Sequence, residues 1–142
     1  MDDYTRETIR SNHPEAVPDV ADESLVLICP FDGIGGARRA LELLNITPAL
    51  YVSIEPDPEC RKVVKNAWPD VIQYSTIEEF LEVVKSGEFG RMVRDRCPKA
   101  AKGLVPGGPP CQPFAKLSKH RRGWSDPRSQ GARLFPVLIR EL

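Results

Sequence analysis

Apolar residues fall in short blocks along this chain, and the spacing within each block separates strands from helices. Leu25 to Cys29 (LVLIC) is a continuous apolar run, which predicts a strand buried on both faces. It stops at Pro30 and a glycine-rich turn, Phe31-Asp32-Gly33-Ile34-Gly35-Gly36. Ala37, Ala40, Leu41 and Leu44 then recur at helical spacing, in a helix that ends by Asn45 and Pro48. Ala49 to Ile54 (ALYVSI) predicts a second strand. Asp57 is placed as an N-cap and Pro58 as the first residue of a helix to Trp68, with Val63, Val64 and Ala67 facing inward. Val71 to Tyr74 predicts a third strand. Ser75 or Thr76 then caps a helix to about Lys85, with Glu78 and Glu79 in its first turn.

Ser86 to Arg96 has no clear period. Gly103 to Pro106 predicts a short fourth strand, and Gly107 to Pro113 a rigid, irregular loop. From Ala132 the residues Leu134, Phe135, Leu138, Ile139 and Leu142 predict a closing helix, with Pro136 near its start, where proline is tolerated. Alternating strands and helices of this kind predict an α/β domain with a doubly wound parallel sheet of about four strands. Residues 1–23 are polar, acidic and interrupted by Pro14 and Pro18, and read as a flexible tail before a domain at 24–142.

Composition narrows the class. The chain has 142 residues, enough for one domain, and 41% of them are hydrophobic, which excludes wholesale disorder. No apolar run approaches the roughly 20 residues of a membrane span, and the acidic, polar N-terminus does not resemble a signal peptide. Twenty basic and twenty acidic residues cancel, but unevenly. Residues 1–30 carry a net −5 and residues 91–142 a net +9. The basic C-terminal third points to a polyanion as partner; a solvated charged surface is the plainer alternative. Cys29, Cys60, Cys97 and Cys111 form no Cys-x-x-Cys pair, and His13 and His120 are far apart, so no zinc site is expected. The thiols read as reduced, in an intracellular protein.

Two segments carry candidate chemistry. In the first, Gly33, Gly35 and Gly36 allow close approach of a ligand to the backbone, and the following helix offers free N–H groups. Glu55, at the end of the second strand, is placed to accept both hydroxyls of a ribose. Arg38 stands where a G-x-G-x-x-G pattern needs its third glycine, which disfavours a nicotinamide dinucleotide and an oxidoreductase. A nucleoside without phosphates, such as S-adenosylmethionine, suits the turn better; an ordinary tight strand-to-helix turn is the bland alternative. In the second, Gly107-Gly108-Pro109-Pro110-Cys111-Gln112-Pro113-Phe114 holds one thiol in a constrained loop. Lys116, Lys119, His120, Arg121 and Arg122 follow and would favour the thiolate, which is the nucleophile. A structural cysteine in a proline-rich turn is the alternative. Trp68 and Tyr74 read as core or half-buried aromatics. Trp124 lies in the basic stretch, where local packing and base stacking are both open to it.

Together these segments resemble the first part of a C5-cytosine methyltransferase. Phe31 to Gly36 is similar to the first motif of that family, and its Phe-Asp-Gly-Ile wording is most like the eukaryotic de novo-type DNA methyltransferases. Glu55 corresponds to the ribose-binding acid of the second motif. Gly108-Pro109-Pro110-Cys111-Gln112 corresponds to the fourth, whose cysteine is the nucleophile, and Ser125 to Arg128 with Leu134-Phe135 resembles the stretch after the catalytic loop. The resemblance runs from about Leu25 to Leu142. It implies a partial Rossmann-like, S-adenosylmethionine-dependent methyltransferase fold, with the cofactor at Phe31, Asp32, Gly33, Ile34, Gly35, Gly36, Glu55, Pro56 and Pro109. Phe31 would pack on the adenine, with Ile54 lining the same pocket. It implies Cys111 as catalytic residue and Gln112, Lys116, Lys119, Arg121, Arg122 and Arg128 on DNA, with RNA as an alternative substrate. Such work implies the nucleus in a eukaryote and the cytoplasm otherwise. The chain departs from the family at Tyr74-Ser75-Thr76-Ile77, which lacks the aspartate of the third motif, at Gly103, where an acid often stands, and at Ala115, where serine is common. The later Glu-Asn-Val and Gln-x-Arg-x-Arg motifs are absent. The expectation is a partial catalytic domain, inactive alone and completed by a missing segment or a complementary chain, or else a silent cofactor-binding scaffold.

Overall fold

The computed structural model describes residues 20–97, 101–111, 113–114 and 122–142. Strand β1 (Val20–Pro30) leads through a turn to helix α1 (Gly36–Leu43) and strand β2 (Ile46–Ile54). Helix α2 (Pro58–Ala67), strand β3 (Ile72–Tyr74), and helices α3 (Ile77–Lys85) and α4 (Glu88–Arg96) follow. Strand β4 (Lys102–Leu104), two 3-10 turns (Gly123–Ser125 and Pro127–Ser129) and helix α5 (Gln130–Glu141) complete the order. The sheet is parallel throughout, in the order β3-β2-β1-β4. This is the α/β class and the four-stranded parallel sheet that the alternation predicts, and it fits a Rossmann-like methyltransferase fold.

Parity along the strands sorts the core into two layers, because successive side chains point to opposite faces. Val26 and Ile28 of β1, with Leu50, Val52 and Ile54 of β2, pack under α3, α4 and α5 through Ile77, Phe80, Leu81, Phe89 and Leu138. Leu27, Cys29 and Tyr51 face the other way, against Leu41 of α1 and Val64 of α2. Both faces of β1 are therefore covered, and its apolar run is continuous rather than alternating. Pro48 lies inside β2 opposite Asp22 of β1. It is tolerated because β3 pairs only with Val52–Ile54, so no ladder bond is due on that side of Pro48.

The predicted caps of α2 and α3 are both present. Asp57 accepts the Glu59 N–H at 2.9 Å with Pro58 at the first helical position, and Thr76 accepts the Glu79 N–H at 3.2 Å. Several expectations are corrected. Strand β1 starts at Val20, inside the stretch 1–23 read as a tail, where pairing with Ile46–Pro48 overrides the polar composition. Val63 is 49% exposed and Ala67 is exposed, so Val64 alone anchors α2. The segment without a period forms α4, entered through Gly87 at a positive φ of 76°. Pro136 sits well inside α5, and Ile139 and Leu142 are exposed, so the buried stripe of that helix centres on Leu138. No helix among the described residues is long and apolar enough to cross a membrane.

Candidate cofactor and nucleophile site

Strands β1 and β2 end side by side, with Pro30 opposite Ile54. Beyond them the chain turns sharply at Phe31, which takes a φ of 59°. A bulky residue there is uncommon and costs about 1–3 kcal/mol. Two hydrogen bonds to the Ile54 carbonyl, from Phe31 N–H at 3.0 Å and Asp32 N–H at 3.4 Å, help hold it. Gly35 begins α1 at φ 84°, and a Cβ on it would lie 2.4 Å from the Trp68 ring, so this glycine serves close packing.

Glu55 follows directly on β2. Its Oε2 accepts the Gly33 N–H at 2.9 Å and its Oε1 accepts the Asp57 N–H at 3.0 Å. Arg61 fastens the same corner by donating to the Glu55 and Pro56 carbonyls at 2.8 and 2.9 Å. An ionised carboxylate offers about four lone-pair directions, two of which these amides use. Each oxygen of Glu55 thus keeps one acceptor site, a match for a vicinal diol.

Two cavities open on either side of Phe31, which lines both. The first, about 260 Å³, has Ile54, Pro56 and Ile77 as apolar walls, Ser75, Thr76 and Glu78 at one side, and Pro110, Gln130 and Gly131 at the other. The second, about 280 Å³, lies among Pro30, Asp32, Gly36, Ala37, Pro106, Gly107 and Gly108. Asp32 is its charged group. Burial raises the pKa of Asp32; the Ser53 hydroxyl, short of hydrogen-bond geometry, and the Tyr51 hydroxyl, which donates to Oδ2, hold that rise back. Burial, then Asp32 itself, pushes the Cys29 thiol and the Tyr51 phenol upward, so both stay protonated beneath the turn.

The loop from β4 runs along the same cleft. Gly107 lies against Phe135 of α5, where a Cβ would meet the ring at 2.7 Å, and Pro110 reaches the first cavity. Cys111 comes next and is exposed. Its carbonyl accepts the Phe114 N–H at 2.9 Å, and the Pro113 carbonyl accepts the Gly123 N–H at 3.0 Å. The wall of α5 closes the arrangement: a Cβ on Gly131 would lie 2.6 Å from the Phe31 ring. Gln130 also donates to Glu78 across the cleft mouth.

Of the predicted cofactor residues, Phe31, Asp32, Gly36 and Pro56 line the cavities, and Gly33 and Glu55 bond to each other beside them. Ile34 is 64% exposed and lines neither cavity; Gly35 packs under Trp68, and Pro110 rather than Pro109 reaches the cleft. Arg122 is exposed, while Arg128 pairs with buried Asp126 through Nε–Oδ1 at 3.0 Å and Nη2–Oδ2 at 2.7 Å. Gln112, Lys116, Lys119 and Arg121 lie outside the described residues, as does Ala115. The sequence reading missed Glu78, Gln130, Gly131 and Phe135 as parts of the site. A glycine inside a helical pattern was the one available signal, since it often marks close packing.

A parallel sheet with a cleft at the carboxyl ends of β1 and β2 fits a Rossmann-like methyltransferase fold. No family model matches the chain. Three relatives do. The chain is 32% identical over 92 residues to DNA (cytosine-5)-methyltransferase DRM1 of Arabidopsis thaliana, covering 65% of this chain and 15% of that protein. It is 31% identical over 121 residues to the type II methyltransferase M.AquIA of a Picosynechococcus species, covering 81% and 43%. It is 29% identical over 112 residues to DNA (cytosine-5)-methyltransferase DRM2 of Oryza sativa subsp. japonica, covering 78% and 18%. These similarities fit a fragment of the C5-cytosine DNA methyltransferase family. The chain spans less than half the length of each of these relatives.

Proposed function

We propose that this chain forms the cofactor-binding and nucleophile-bearing part of a DNA cytosine-5 methyltransferase that uses S-adenosylmethionine. One observation carries the reading: Pro110, the residue before Cys111, lines the same cavity as Phe31 and as Ile54 and Pro56, the two neighbours of Glu55. The cavities suit the cofactor in chemistry as well as place. Phe31, Ile54 and Ile77 offer apolar walls for a purine, Glu55 keeps two acceptor sites for the ribose hydroxyls, and Asp32 would accept from the amino-acid ammonium. When bound, S-adenosylmethionine supplies an electrophilic methyl group and leaves as a neutral thioether.

Cys111, as thiolate, would add to C6 of a cytosine turned out of the duplex, and the displaced electron pair would make C5 nucleophilic. After methylation, loss of the C5 proton to a base returns the electrons that expel the thiolate. Arg122 and the basic residues around it would hold the phosphates, with an affinity that falls with salt. DNA as substrate implies the nucleus in a eukaryotic cell and the cytoplasm otherwise.

A second reading, a cofactor-binding part that needs a complement, is favoured by β4. Its three residues are exposed, and among the described residues it pairs only with β1. Further strands, from a longer chain or a second one, would continue the sheet there. A duplex containing 5-fluorocytosine tests both readings, because the fluorine blocks proton loss and strands the adduct. A denaturation-resistant adduct that needs Cys111 and S-adenosylmethionine supports the enzyme. S-adenosylhomocysteine binding without an adduct supports the incomplete site, and loss of both signals would sink the two readings together.

A further inference from the structure

Phe114, three residues after Cys111, forms an aromatic pair with Trp124, with ring centroids 4.8 Å apart and planes at 66°. Both stand open to solvent, Trp124 by 62% and Phe114 by 37%. Large aromatics carry the greatest burial energies of any side chains, so a bare pair on a surface calls for an occupant. We propose that Trp124 is a stacking platform for a nucleobase of the DNA substrate; this rests on the methyltransferase reading above and adds a contact to it.

Three features support that occupant. The pair is tied by backbone bonds to the nucleophile: Phe114 N–H donates to the Cys111 carbonyl at 2.9 Å, and Gly123 N–H to the Pro113 carbonyl at 3.0 Å. The backbone under Trp124 is anchored before any ligand arrives. Ser129, fully buried, sets its hydroxyl between the Asp126 carbonyl at 2.6 Å and the Trp124 carbonyl at 3.0 Å, and buried Asp126 is clasped by Arg128. A pre-anchored aromatic loses little freedom on binding. Finally, exposed Arg122 precedes the platform, in a segment (91–142) with a net charge of +9. Flat apolar faces beside cations match a strand of stacked bases on phosphates. A neutral protein surface would cover the aromatic pair and leave that charge unused.

The test compares the full chain with Trp124→Ala and Trp124→Phe, on a cytosine-containing duplex and on the same duplex with abasic sites around the target. Stacking predicts roughly 5- to 150-fold weaker binding for Trp124→Ala, with most of the loss restored by Trp124→Phe. The abasic duplex should narrow the gap between wild type and Trp124→Ala. Tryptophan fluorescence of the wild type minus that of Trp124→Phe, which keeps Trp68, should be quenched by the intact duplex. S-adenosylhomocysteine affinity and thermal midpoint, unchanged in Trp124→Ala, would exclude misfolding. Wild-type binding that Trp124→Ala leaves intact overturns the stacking role alone and assigns the pair to a protein contact. A wild type that binds no duplex overturns the nucleic-acid reading with it.

Discussion

Gly131 of α5 sits over the ring of Phe31, so closely that a Cβ would stand 2.6 Å from Cε1 and 3.0 Å from Cζ. Phe31 is itself held at a left-handed φ and lines both cavities. The closing helix therefore sets the position of the residue on which the cleft turns. Phe135, one turn further along α5, repeats the relationship, with its ring 6.4 Å from that of Phe31 and against Gly107 of the loop that carries Cys111.

Gly131→Ala separates cofactor binding from stability. Alanine gains up to about 1 kcal/mol over glycine inside a helix, which offsets part of the overpacking cost of about 1–3 kcal/mol. The thermal midpoint should shift little, while the Phe31 ring must yield and narrow the cleft. We expect S-adenosylhomocysteine to bind about tenfold or more weakly, on the scale of that overpacking cost. Calorimetric titration beside a melting curve checks this, and unchanged affinity would mean that Phe31 does not touch the ligand.

Glu55→Gln keeps the shape of the side chain and removes its charge. The variant retains one carbonyl acceptor for either Gly33 or Asp57 and presents an NH₂ group to the other amide. Hydrogen bonds to a charged group contribute about 1.5–3 kcal/mol, so affinity for S-adenosylhomocysteine should fall roughly 10- to 150-fold. Adenine alone should lose much less, because it lacks the ribose. Equal losses for the two ligands would place the ribose elsewhere.

Asp126 gives the pH dependence a sign. The Arg128 guanidinium, then the Arg128 N–H, lower its pKa from 3.8 to about 2. Folding therefore favours the carboxylate, and its contribution is complete above about pH 4 and is lost as pH falls toward 2. Urea midpoints of the wild type and Asp126→Asn should differ by a constant amount above pH 5 and converge below pH 3. A gap that persists at pH 2 would show that the ion pair is not its source.

Much of this fold is legible without coordinates because its signals are local. The apolar run of β1, the Asp57-Pro58 and Thr76 caps, and the break at Phe31 each depend on neighbours a few residues away. The meeting of the glycine turn with Glu55 was legible for a related reason: Gly33 and Glu55 are 22 residues apart, one strand-helix-strand unit, and such a unit returns its second strand beside the first. Helix α4 was not legible, since its apolar residues Phe89, Met92 and Val93 are few and it is stabilised by packing on the core.

The sequence by itself determined the class of fold, the glycine turn, the acid that faces it and the thiol in its proline-bound loop. All of these follow from backbone freedom, strand length and side-chain chemistry at short range. The tertiary structure decided the rest. It brought Glu78 and Gln130 together across 52 residues at the cleft mouth and pressed Gly131 on Phe31. It set Phe114 against Trp124 and left Trp124 bare beside the loop that carries Cys111. These are contacts between elements distant in sequence, and they exist only once burial of the two core layers has fixed how α5 and the β4 loop lie against the sheet.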